Sequence, residues 1–187
     1  MSTICTGTVA AARTAGRGCG QPGLALRIPA RLLDQEFGRG RVVRFEEIDF
    51  PLALTHEPTR RFLRDTGLPE DGLLFELDVD APLRPLTEYY ADEHPEAGCA
   101  AGLPAHADRL IRLGQFAEDG SLVVDGITGE VSNWSASEAT LHPFEEDIST
   151  VAHGLWLFHR TLSGRGGQRV QALPEACSEA VAGIEAA

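Results

Sequence analysis

A chain of 187 residues can form one domain that buries roughly two thirds of its unfolded surface, so neither disulfides nor a metal is needed for folding. Its 43% hydrophobic and 24% charged content is that of a globular protein and excludes wholesale disorder. The 16 basic residues are all Arg and stand against 28 acids, for a net charge of −12. Such a field repels nucleic acid and anionic lipid and attracts basic partners, and the lack of Lys excludes Schiff-base and Walker-type chemistry.

Residues 1–26 are rich in Ala, Gly and Thr without a period and read as a flexible leader. Met1 to Ala15 holds neither the apolar core nor the early basic cluster of a secretion signal. Cys5, Cys19, Cys99 and Cys177 form no CxxC pair, so no zinc or redox motif is encoded. Together with the lack of an apolar run of about 20 residues, these features predict a cytoplasmic chain that does not span a membrane. Gly18-Cys-Gly-Gln-Pro-Gly23 fits GxGxxG, but lacks the preceding strand and following helix of a dinucleotide site and reads as leader.

The domain is expected over 27–164. Arg27 to Phe37 shows a short helical pattern stopped by Gly38, and Arg41-Val-Val-Arg-Phe45 alternates as a strand. Thr55 to Gly67 predicts a helix with Thr55 as its cap, Pro58 in the first turn, Phe62 and Leu63 inward, and Gly67 as terminator. Leu73 to Leu77 reads as a strand. Asp78 to Glu96, with three Pro and six acids, reads as a long excursion with at most a short helix at Leu86, Tyr89 and Tyr90.

Arg109-Leu-Ile-Arg-Leu113, Ser121-Leu-Val-Val-Asp125 and Glu130-Val-Ser-Asn-Trp134, separated by Gly-containing turns, predict an antiparallel meander near 108–134. Phe144, Ile148, Val151, Leu155, Phe158 and Leu162 recur at alternating spacings of four and three, which predicts a long amphipathic helix starting at Pro143. Residues 165–187 read as a Gly-rich linker and a weak Ala-rich helix from Pro174. The fold class is therefore α+β, an antiparallel sheet flanked by helices.

Charge is distributed unevenly. Residues 1–48 carry seven Arg and four acids; residues 49–187 carry nine Arg and twenty-four acids. Between Asp65 and Glu96 ten acids meet the single Arg84, and Tyr89 and Tyr90 lie among them. Tyrosine buries much area at little entropic cost and keeps a polar tip, and surrounding carboxylates speed capture of a basic partner. Glu76, Asp78, Asp80, Glu88, Tyr89, Tyr90, Asp92, Glu93 and Glu96 are therefore the candidate partner-binding residues; the plainer reading is a solvated charged loop.

Catalytic signals are weaker. His94-Pro-Glu96 has the HxE half of a zinc-deaminase motif without PCxxC. The six His form no HExxH pair, and Ser135, Ser137, His142 and Asp125 could compose a triad only without a GxSxG elbow. No catalytic residue, metal ligand or cofactor is expected. A small hydrolase is the enzymatic alternative, and a regulatory protein-interaction module with a cellular partner the binding alternative.

Phe37-Gly38 with Val42-Val43-Arg44-Phe45, then Leu63 to Gly67-Leu68-Pro69, then Leu113-Gly114 leading to Leu122-Val123-Val124-Asp125 and Gly129-Glu130-Val131, resemble the SUKH superfamily, most of all its fourth immunity subgroup. The resemblance covers about residues 28–162 and leaves 1–26 and 165–187 outside. It implies an antiparallel sheet flanked by helices and neutralisation of a polymorphic toxin, often a nuclease or nucleic-acid deaminase, by direct binding. It carries over no catalytic residue and no specific contact. Related proteins often lead into the last helix with a polar residue such as Asn, where this chain has Leu141-His142-Pro143.

Overall fold

A computed structural model describes residues 23–72, 74–79, 82–93, 102–117 and 119–163. In chain order the elements are α1 (Ala30–Phe37), β1 (Val42–Val43), a 3₁₀ turn (Glu47–Asp49), α2 (Glu57–Asp65), β2 (Leu68–Pro69), β3 (Phe75–Leu77), β4 (Arg84–Pro85), α3 (Leu86–Glu93), β5 (Leu110–Phe116), β6 (Gly120–Asp125), β7 (Val131–Ser135), β8 (Thr140–Glu145) and α4 (Ile148–Ser163). The α+β class holds: a six-stranded antiparallel sheet runs β3-β5-β6-β7-β8, with β4 also paired to β5, beside a small β1–β2 ribbon.

The sheet grows from the predicted meander. Every residue of β6 is buried, because side chains alternate between two covered faces. Leu122 and Val124 join Ile111, Leu113 and Val131 in a large core beneath Leu33, Leu63, Ile148 and Val151 of α1, α2 and α4. Val123 points the other way, into a smaller core with Leu86, Ala107, Leu110 and Trp134. Between Arg112 and Gly114 the β5–β6 register shifts, and β3 crosses β5 so closely that a Cβ on Gly114 would strike the Glu76 carbonyl oxygen. Gly114 is thus fixed by backbone approach.

Three expectations are corrected. The last helix does not start at Pro143: Pro143 and Phe144 lie in β8, an edge strand where the missing N–H of proline is tolerated. Phe144 packs its ring on Phe116 at 4.7 Å from within the sheet, so its place in the helical spacing is coincidental. Helix α4 is capped by Asp147, whose Oδ1 accepts from the amides of Ser149 (2.8 Å) and Thr150 (3.2 Å). The departure seen at Leu141-His142-Pro143 therefore concerns a strand and leaves the cap intact.

Thr55 does not cap α2 either. His56 takes that place without a side-chain cap bond, and the Thr55 hydroxyl donates to the Gly126 carbonyl at 3.2 Å. Pro58 sits in the first turn and Gly67, at φ +80°, ends the helix as expected. Residues 23–26 also depart from the expected loose leader: the Ala25 amide donates to Asp147 Oδ2 at 2.5 Å and the Leu26 amide to Ser149 Oγ at 3.0 Å. Residues 1–22 of the leader, with most of the Gly18–Gly23 motif, and the tail beyond Ser163 lie outside the described residues.

Asp147 thus caps one helix and clasps the entering chain. Asp147→Ala is expected to lower stability by about 1–2 kcal/mol in urea denaturation, with loss of amide protection at Ala25 and Ser149; unchanged stability would contradict the double role. His56 gives a pH signature. Its Nδ1 lies 2.8 Å from Thr59 Oγ1, its Nε2 is buried with no partner among the described residues, and burial pushes its pKa below the ordinary range, partly offset by Asp147 and Asp125. Folding favours the neutral ring. This contribution is full above about pH 6.5, where the unfolded imidazole is neutral, and is lost as pH falls through the lower folded value. Thermal melts from about pH 7.5 to about 5.5 are expected to show a smaller drop in Tm for His56→Gln than for the natural chain; parallel profiles would contradict the assignment.

Candidate functional site

Alternation along β5 puts Arg112 on the face opposite Ile111 and Leu113, in the middle of the smaller core's sheet surface. The side chain is only 6% exposed. A guanidinium there is tolerable only if its charge and donors are matched. Its Nη1 donates to Asp78 Oδ2, its Nε to Ser121 Oγ at 3.1 Å, and its Cζ lies 4.1 Å from the centre of the Tyr89 ring. Arg84 approaches the same ring at 5.6 Å and donates to Asp92 Oδ2 at 2.7 Å. The Trp134 indole N–H donates to the Tyr90 hydroxyl at 3.1 Å, and the two tyrosine rings meet edge to face at 5.4 Å. Burial pushes the Tyr90 hydroxyl up from its ordinary pKa, the Trp134 hydrogen bond opposing it.

The expected partner-binding residues separate accordingly. Asp78, Asp92, Tyr89 and Tyr90 are engaged within the chain and form the wall of the site. Glu76, Glu88 and Glu93 are exposed and make no ion pair among the described residues. Asp80 and Glu96 lie outside the described residues. Sequence reasoning missed Arg112, which organises the wall. Its signal was a lone cation inside the apolar run Leu110-Ile-Arg-Leu113.

The other chemistry considered does not converge. Ser135 Oγ meets Ser137 Oγ at 3.2 Å, His142 Nε2 meets Glu138 Oε2 at 3.1 Å, and Asp125 is held by Arg109 Nε at 2.8 Å and by the amides of Ile127 and Thr128. No triad is assembled from them. His94 and Glu96 lie outside the described residues. Among the described residues no group of three or more His, Cys, Asp or Glu could hold a metal, and no helix is long and apolar enough to cross a membrane.

Removing the buried cation tests the wall. Arg112→Ala leaves Asp78 without its partner and Tyr89 without its cover, and is expected to cost about 3 kcal/mol in urea unfolding, the low end for a broken buried pair because water reaches Asp78. Asp78→Asn is expected to cost less; equal and negligible losses would contradict the placement.

The profile of the SUKH-4 immunity protein family matches residues 28–186. It takes in the domain from Ile28 onward and also the tail beyond 164, which the short motifs had left outside the resemblance. No curated protein and no solved structure matches the chain. With nearly the whole of its length under one family profile, the chain belongs to the SUKH-4 immunity protein family.

Proposed function

We propose that this chain neutralises a nuclease or nucleic-acid deaminase toxin by stoichiometric binding, in the cytoplasm that holds the toxin's substrate, and that it does so without catalysis. Family membership supports the immunity role. The observation that carries the mechanism is the set of exposed carboxylates Glu76, Glu88 and Glu93, which make no ion pair among the described residues, beside a wall in which Asp78 and Asp92 are matched by Arg112 and Arg84. An enzyme that grips phosphate backbones must present Lys or Arg. An acidic face therefore meets groups that the toxin needs for its own activity.

Co-expression with the toxin gene encoded beside this chain, scored for growth, tests the role: rescue is expected, and unrelieved toxicity with no complex in pull-down would refute it. The electrostatic part has its own test. Glu76→Gln, Glu88→Gln and Glu93→Gln combined are expected to slow association by about 10-fold or more at low ionic strength, with a difference that shrinks as salt is added. Salt-independent association of the natural chain would leave neutralisation standing and remove the steering.

A further inference from the structure

Of the exposed large hydrophobic side chains among the described residues, the three most exposed are Leu52 at 98%, Ile48 at 85% and Ile127 at 57%, the first two on the stretch that runs from the 3₁₀ turn to α2 and the third on the β6–β7 turn bonded to that stretch. Single exposed aliphatics are ordinary. These three are held in place. Leu52 is at the tip of a turn closed by the Leu54 amide donating to the Pro51 carbonyl at 3.0 Å, between the buried anchors Phe50 and Leu54. Ile48 lies in the 3₁₀ turn, which is held by the Asp49 amide donating to the Glu46 carbonyl at 3.0 Å and by Asp49 Oδ2 accepting from the Glu46 amide at 2.8 Å.

Ile127 lies in the β6–β7 turn, fixed by Asp125 Oδ1 accepting from the amides of Ile127 and Thr128. The loops are bonded to each other, since the Gly126 carbonyl accepts from the amides of Thr55 (2.8 Å) and His56 (2.7 Å). Contact there is so close that a Cβ on Gly126 would strike the Ala53 carbonyl oxygen. Apolar side chains presented on loops this constrained lose little freedom on being covered, which is the property of a binding anchor.

What covers them is indicated by charge. Glu46, Asp49 and Glu130 flank the three side chains in sequence and supply carboxylates around them, while Glu47 is neutralised by Arg60 and Arg64. A second copy of the chain would bring like carboxylates together, whereas a basic partner gains from them. The Leu83 amide donates to the Asp49 carbonyl at 3.0 Å, so this loop is tied to the segment that enters β4 and α3. We infer that Ile48, Leu52 and Ile127 form a preformed apolar knob that seats in an apolar depression of the toxin rimmed by Lys or Arg side chains. The inference rests on the proposed neutralising function and adds to it the anchor that sets how long the complex lasts.

The test is binding kinetics of the full chain against a catalytically inactivated form of the toxin domain encoded beside it. Ile48→Ser, Leu52→Ser and Ile127→Ser combined, and Leu52→Ser alone, change side chains already in water and should keep the natural Tm. The combined variant is expected to dissociate faster and to weaken Kd by roughly 30-fold or more, with association rate and salt dependence unchanged. Leu52→Ser alone is expected to move the same way by a smaller factor. If the natural chain forms the complex and both variants bind with its Kd, the knob is overturned while neutralisation stands. If the natural chain forms no complex, the proposed function fails and the knob with it. Sedimentation that shows a dimer of the natural chain, dissolved by Leu52→Ser, would overturn the assignment in favour of a second copy.

Discussion

Strand β6 has no solvent side, and most of the architecture follows from that. A strand buried on both faces obliges the sheet to carry two covers. One cover is substantial, formed by α1, α2 and α4 over Ile111, Leu113, Leu122, Val124 and Val131. The other is thin: the eight-residue α3 and the segment around Ala107, over Leu110, Val123 and Trp134. On this face of β5 lies Arg112, with its charge matched by Asp78 and its guanidinium against the Tyr89 ring. The acidic excursion is therefore part structural wall and part free surface. Asp78 and Asp92, paired with Arg112 and Arg84, fix the wall, and Glu76, Glu88 and Glu93, with no ion pair among the described residues, are the ones proposed to meet a partner.

This arrangement separates two tasks that an interface protein must perform. Exposed charges act over a Debye length and govern encounter, while desolvated apolar contacts govern residence. The first set sits on β3 and α3, on the outer side of the sheet; the second sits where the β6–β7 turn is bonded to the loop that enters α2. Both are mounted on backbone fixed by hydrogen bonds. In the proposed complex, little ordering entropy would then be lost on binding.

Much of this was legible from the residues, for physical reasons that differ by element. The meander could be read because Gly turns and two-residue alternation report local geometry directly, and α2 because Pro58 and Gly67 mark its ends. Strand β8 could not be read: nearly all of its residues face solvent, so no alternation survives, and Phe144 falls by chance into the spacing of α4. Asp147 was legible as an acid near a helix start, but its clasp on Ala25 spans 122 residues and leaves no local trace. At the candidate site, composition identified the acidic stretch and its tyrosines but not the direction in which each side chain points. That direction depends on Arg112, a partner from another strand. Ile48 and Leu52 lie in a segment with no period, where exposure is set by the turns at Glu46–Phe50 and Pro51–Leu54 and by the packing of Phe50 and Leu54.

The central claim is that the acidic outer side of the sheet and the loops that carry Leu52 and Ile127 together occupy a basic partner. Hydrogen–deuterium exchange of the chain, alone and bound to an inactivated toxin domain that it neutralises, measures this most directly. The account predicts new protection over residues 47–55, 86–93 and 125–130, with α1 and α4 unchanged. Protection confined to α1 and α4, on the opposite side of the sheet, would contradict it.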